Sequence, residues 1–543
     1  MIRSSYSATI SVLAILFALS AQGQYLTLDQ KLSDFHQLNQ SVESAYGPYQ
    51  YKNEVMGFNL PQLKETYEQR IRQTTANRDF YYLLKQYIAE FHDGHFRAAL
   101  PTTHEKSIPI TTEWVNGRIL VDTIDRTIVP VEKFPFERGS EIISVNGRPV
   151  AEVVHELKSY FGSGFSLSET RRGARLIFRR PGRSLPVPLE ATITVEVLGL
   201  NQTKTTTVEL NWIEKGQPLD EILLPAFAHS HLRSATNKNI KMLSTSGDWK
   251  ELLGAKGMES SYQCSGTTRV AIPQGATMIF SEPFVAYYHP TTKGNIGYLR
   301  IPHYNWEDPN DPEFASKVFD QYQYAVSVLE KNTVGLIIDQ DHNCGGSVDF
   351  LEAQVGLFVT TSYMPMQFKF RGTKGNFLEF SGYRDTFLIP NTIAYNQLSS
   401  VIELIKQAWL SGTGMTPFTG IDGEESFQPN VVHYTKPIVM TIDEMSGSGG
   451  DAFPALLQGY GRAKLVGTRT SGLGGHVTEI PPLNYTGLTV DMTKSQFYRP
   501  DGVAVENNGA QPDVSYVITK DDFLNGYRGY QKFYLNVLLN QLP

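Results

Sequence analysis

Two short, wholly apolar runs, "TVGLIID" ending at Asp339 and "PIVMTID" ending at Asp443, are each followed by glycines and then by a helical pattern. Runs with no polar alternation predict strands buried on both faces of a sheet, and a helix after each makes that sheet mainly parallel. The same alternation recurs when "NIGYLRI" leads into "PEFASKVFDQYQYAVSVLEKN", and again when "GGDAFPALLQGYGRA" leads into "KLVGT". From about residue 291 onward the chain is therefore expected to be an α/β domain.

The 543 residues are too many for one hydrophobic core, so further domains are expected before it. Up to about residue 105, "LDQKLSDFHQLNQSVESAY" and "LPQLKETYEQRIRQTTANRDFYYLLKQYIAEF" carry apolar residues at three- and four-residue steps. They predict a helical region, the second helix stopping near Gly94. Over 106–215 the period drops toward two, as in "GRILVDTI" and "ATITVEVLGL", which predicts a small β-rich domain holding one helix, "VAEVVHELKSYF". Residues 216–290 are polar and punctuated, and read as an insertion or linker.

The first 23 residues read as a secretory signal. Arg3 is followed by the apolar stretch Ile10–Leu19 and by Ala21-Gln22-Gly23, a small-x-small pattern before a cut at Gln24. That stretch is about half of the ~20 residues a spanning helix needs, and nothing later is long and apolar enough, so no membrane span is expected in the mature chain. Net charge is −7, with 48 basic and 55 acidic residues spread without long runs. A nucleic-acid partner, which favours a basic face, is therefore not expected. Cys264 and Cys344 are the only cysteines and no CxxC or HExxH stretch occurs, so no metal site or other cofactor is implied.

Within "TIDEMSGSGGD" (441–451), Ser448 falls at a strand-to-helix turn beside the first N–H groups of a helix. Those donors and the helix dipole stabilise negative charge, as a serine nucleophile attacking a carbonyl requires. Glycines at 447, 449 and 450 let the backbone approach a substrate closely. The alternative is a plain structural turn; a phosphate loop is excluded because no Gly-Lys-Ser/Thr follows. Gly345 and Gly346 end the other apolar strand in the same way, either as a tight turn or as a second source of backbone donors.

Five stretches, in order, resemble the S41 peptidase family, which contains tail-specific proteases and the tricorn protease core. They are "FHDGH", "RGSEIISVNGRPVAEV", "LIIDQDHNCGG", "MTIDEMSGSGGDAFPALLQGYGRAKLVGTRTSG" and "VAVENNGAQPDV". The second is similar to part of a PDZ-type domain. The resemblance implies a PDZ-like domain over 106–215 and a crotonase-like (ClpP/crotonase) α/β catalytic domain over 291–543. It also implies a protein or peptide substrate and leaves a homo-oligomer open.

The tail-specific branch pairs its serine with a downstream lysine, but the matching position here is Leu473. The tricorn-like and chlamydial-protease-like branch instead uses Ser, His and Glu. Carried over, these are Ser448 as nucleophile, His95 as general base and Glu506 orienting the imidazole, with backbone N–H groups of Gly449 and of Gly345 or Gly346 as the oxyanion hole. His92 and His476 compete for the base, the latter read as a surface or substrate-contacting residue. Gly94 stands where tricorn-like members have serine, and Asp341 where the family has arginine. The expectation is an exported (secreted or periplasmic) serine endopeptidase. The rivals are a non-catalytic S41-fold protein binding a peptide or hydrophobic ligand, and a dyad with Lys494 as base.

Overall fold

A computed structural model describes residues 25–219, 270–308 and 310–543. The signal read at 1–23 and most of the polar segment 216–290 lie outside the described residues. The apolar runs become neighbouring parallel strands, Gly294–Arg300, Gly335–Asp339, Ile438–Ile442, Ala463–Gly467 and Val514–Ser515. Ile338 stands opposite Met440, and Met440 opposite Leu465. These three side chains enter one core with Val326, Phe453 and Leu457. Their chain neighbours Ile337, Val439 and Val466 enter another, against Tyr530, Tyr534 and Leu538 of the helix Arg528–Leu539. Both faces are covered, which is why no polar alternation survives in the sequence. Each fully buried aliphatic side chain contributes roughly 1.5–3 kcal/mol.

The sheet extends further toward the N-terminus than the sequence indicates. An antiparallel edge, Thr277–Phe280 with Ala286–Thr291, adds two strands to it, so residues read as the end of a linker belong to the sheet. The long N-terminal helical stretch divides into Leu60–Ile71 and Asn77–Ala89. Between them the Gln73 and Thr74 N–H groups make tighter turns to Arg70 and Ile71, and buried Lys31 bonds the Thr74 carbonyl. The N-terminal helices share a core with a late hairpin: Phe35, Leu84 and Tyr87 pack with Ile480, Val490 and Met492. Arg97–Ala98 adds a strand to that hairpin, pairing Arg97 with Asp491.

The β-rich region forms the sheet expected of it, Ile110–Val115, Arg118–Ile124, Glu141–Val145, Thr192–Leu198 and Thr205–Asn211. It holds two helices rather than one, Val150–Lys158 and Ser166–Arg175. The second, "SLSETRRGAR", shows no apolar stripe because much of what it buries is the charged Arg171. No helix among the described residues is long and apolar enough to cross a membrane.

Candidate active site

The turn after Ile438–Ile442 forces a side-chain-bearing residue into a glycine-like conformation. Ser448 has φ 59° and ψ −116° and is the N-cap of the helix Gly449–Gly459. Such backbone costs of order 1–3 kcal/mol and persists only where its surroundings hold it. The hold is Asp451, whose carboxylate accepts the Ser448 N–H (2.7 Å) and those of Gly472 (2.7 Å) and Leu473 (2.9 Å). Burial pushes the Asp451 carboxyl up to about 6, with the Thr470 hydroxyl and these N–H groups opposing it. The glycines are required by packing. A Cβ on Gly449 would lie 2.7 Å from the Tyr304 ring, and one on Gly345 (φ 72°) 2.7 Å from Ser448 Cβ.

The histidine turn is built differently. The helix Asn77–Ala89 ends before His92, which takes φ 48°, and Asp93 Oδ1 accepts the His95 N–H at 2.8 Å. Gly94 does not stop the helix; its role is clearance, since a Cβ there would sit 2.8 Å from Leu473 Cδ2. A serine there would have to displace the Leu473 side chain. His95 is fully buried, which pushes its imidazole down to about 4; Arg97 and Arg172 add to this and Asp93 opposes it. His92 projects into solvent beside Glu169 (3.4 Å). His476 is not on the surface: it is buried against Phe370 and Phe380, with Nδ1 2.7 Å from Ser495 Oγ. Burial, Lys494 and His95 push its imidazole down to about 3.

Glu506 is fully buried. Its Oε1 takes the Lys52 ammonium at 2.5 Å and its Oε2 the Gly474 N–H at 3.0 Å. Burial, then Asp93 beside it, pushes the carboxyl up to about 8, while Lys52 and Gly474 pull it down. Lys494, the other lysine considered as a base, pairs with Glu379 at 3.4 Å.

The segment 470–476 meets all three turns. Leu473, in the position of the missing lysine, is buried with Cδ2 against Gly94 and Cδ1 against the would-be Cβ of Gly447 (2.8 Å each). The next residue, Gly474, bonds Glu506, and the preceding N–H groups bond Asp451. An apolar plug thus joins the serine and histidine turns where the other branch has its base.

On the oxyanion side, Gly449 occupies the first helical position, where the N–H lacks an intrahelical acceptor. The Gly345 N–H donates to Asn343 Oδ1 at 2.8 Å in this conformation. Gly346 (φ 139°) is bridged to Tyr304. Cys344, just before them, is disulfide-bonded, and Cys264 lies outside the described residues. The loop that has Asp341 in place of arginine is met by guanidinium groups from the β-rich region. Arg171 bonds Glu113 (2.8 Å), Asp443 (3.0 Å) and Glu444 (2.9 Å). Arg171 and Arg175 also approach His342 Nε2 at 3.0 and 2.9 Å. Guanidinium cannot accept, so Nε2 accepts and Nδ1 donates to Asp443 (2.6 Å). Asp341 itself accepts from the Tyr530 hydroxyl at 3.3 Å.

Lys52, Asp93, Asp451 and Asn343 were not among the residues singled out in the sequence. Asp93, Asp451 and Asn343 each have a local signal, their places in "FHDGH", "TIDEMSGSGGD" and "NCGG", and bond backbone N–H groups two or three residues away. Lys52 has none, because Glu506 and Asn507 lie more than four hundred residues on.

The sequence model of peptidase family S41 matches residues 295–516, and that of a PDZ domain residues 104–221. A protein of Chlamydia trachomatis is 25% identical over 564 residues, covering 94% of this chain and 92% of its own length. The tricorn protease of Thermoplasma acidophilum is 33% identical over 259 residues, 47% of this chain and 18% of that one. In fold, the chain is similar to a solved structure of mature CPAF (TM-score 0.77, 22% identity, 94% of this chain and 96% of that one). It is similar also to mature CPAF complexed with lactacystin (TM-score 0.75, 23% identity, 94% and 97%). With the family match running from the first parallel strand through the closing motif, and the chlamydial match over nearly the whole chain, this protein carries a peptidase family S41 domain over residues 295–516 and is a serine peptidase.

Proposed function

We propose that this exported peptidase cleaves within protein or peptide chains through an acyl-enzyme on Ser448, with His95 as general base and Glu506 as the group that holds the imidazole. His95 takes the hydroxyl proton as Ser448 Oγ bonds the scissile carbonyl carbon. The C–N bond then breaks and the proton passes to the leaving amine. Water, deprotonated by the same imidazole, releases the acyl group and restores the hydroxyl. The Gly449 N–H, at the start of the helix, faces the developing oxyanion.

The observation that carries this reading is the 470–476 segment, whose Leu473 contacts the histidine and serine turns while Gly474 bonds Glu506. Its test is the rate of fluorophosphonate labelling across pH, with lactacystin, bound in the CPAF structure, as competitor. Wild type labels; Ser448→Ala does not, and His95→Ala and Glu506→Gln are slowed at least about 10²-fold. Because burial holds the imidazole neutral down to about 4 and the carboxyl protonated up to about 8, the rate rises in two steps near those values. A single limb near ~6.5 signals an exposed histidine base and defeats this assignment. Wild type that stays unlabelled while binding a peptide or lipid favours the non-catalytic reading.

A further inference from the structure

Lys52 lies on the six-residue helix Tyr49–Glu54, in "YQYKNE", where a lysine ordinarily faces water. Here it is 2% exposed. Each of its three N–H bonds has an acceptor: Glu506 Oε1 at 2.5 Å, Asn507 Oδ1 at 2.6 Å and the His92 carbonyl at 3.2 Å. The His92 carbonyl belongs to the turn that carries His95, while Glu506 and Asn507 belong to the closing segment. Asn507 Nδ2 also donates to the His92 carbonyl at 2.9 Å. His92 (φ 48°) and Asn507 (φ 62°) both hold positive φ, so the ammonium sits where two strained stretches of backbone meet.

We propose that Lys52 is a positioning residue of the reaction: its ammonium ties the histidine turn to the closing segment, holds the Glu506 carboxyl in place and favours its anion against burial. This rests on the reading of Glu506 as the partner of His95.

A carboxylate out of water favours its neutral form, and a neutral Glu506 gives up the charge that stabilises an imidazolium. Burial and the Asp93 carboxylate from the histidine turn oppose its ionisation, while the Lys52 ammonium on Oε1 and the Gly474 N–H on Oε2 favour it. Tyr46 and Tyr51, whose hydroxyls burial and the Glu506 charge keep neutral, also face it. Among the described residues, Lys52 is the cation bonded to its carboxylate. The three acceptors also explain why a lysine serves here, since a compact ammonium donates in three directions at once.

The experiment is the rate of fluorophosphonate labelling of the full chain between about pH 5 and 10. Lys52→Met is compared with Lys52→Arg, Glu506→Gln and the Lys52→Met/Glu506→Gln double variant. Lys52→Met is expected to label about 10–100-fold more slowly at pH 7, the size of effect seen when a supporting partner is lost. Its upper pH step moves at least about one unit upward, so the deficit shrinks at high pH. Lys52→Arg keeps the step near the wild-type position. In the Glu506→Gln background, Lys52→Met costs nothing further. Should Lys52→Met not fold, Lys52→Gln, which keeps donors and loses the charge, takes its place.

Equal slowing at every pH, or additive losses in the double variant, overturns the proposal and leaves Lys52 a structural ion pair. Faster labelling in Lys52→Met also overturns it, because the pair then withholds Glu506 rather than preparing it. If Glu506→Gln is slow while Lys52→Met equals wild type, the Lys52 proposal alone fails. If Glu506→Gln equals wild type, the triad reading fails with it.

Discussion

At the scale of single residues, the site is arranged around an apolar side chain. Leu473 lies between the serine and histidine turns, each of which presents a glycine to it, and a Cβ on either would come 2.8 Å from a leucine methyl. Leu473→Ala is expected to cost about 2–5 kcal/mol of stability through the cavity it leaves. It should also slow labelling of Ser448 more than a remote core truncation of equal cost, because two turns lose a common stop. Thermal denaturation and labelling rate, measured on the same samples, check this, and a stability loss with normal labelling removes Leu473 from the alignment. Ser448, His95 and Glu506 were singled out in the sequence because each lies in a short motif. The role of Leu473 was not, since the sequence showed only that a lysine is missing there. Replacing one candidate base with a leucine left open what the leucine does, and only its contacts answer that.

Among the elements, the helix Ser166–Arg175 links the β-rich region to the catalytic sheet. Its Arg171 reaches Asp443 and Glu444, just before the serine turn, and meets His342, just before the Asn343–Gly346 loop. Removing one member of a buried charge cluster leaves the others uncompensated, at a cost of about 3–5 kcal/mol. Arg171→Met should therefore lower the melting temperature sharply, and Arg171→Lys should recover only part, because an ammonium cannot reproduce the guanidinium fork. Full recovery by lysine in a melting experiment contradicts the forked geometry as the source of stability. This helix was invisible to periodicity for the same reason it matters, as its inward face carries charge. The apolar strands were visible because burial on both faces leaves them no polar positions. The edge hairpin 277–291 was missed because the polar, punctuated text before it carried the linker reading through residue 290, although "TMIF" and "AYY" are apolar.

Across the whole molecule, groups far apart in sequence share one core. The helices before residue 90, which carry Lys52 and lead into the His95 turn, pack on Ile480, Val490 and Met492 of the late hairpin. They are thus expected to unfold together with the site. Loss of labelling and loss of helical circular dichroism should share one urea midpoint, and helices melting first would show that the N-terminal region is an independent unit. The sequence by itself determined the kind of sheet, the two glycine-lined turns at its strand ends and the residue types able to perform acyl transfer, because these depend on local pattern and motif. Tertiary structure alone decided that His95 and His476 are both buried while His92 is exposed, that Leu473 meets the Gly94 turn, and that Lys52 meets Glu506. Those outcomes depend on contacts between positions hundreds of residues apart, and on how burial shifts a proton, neither of which a linear pattern records.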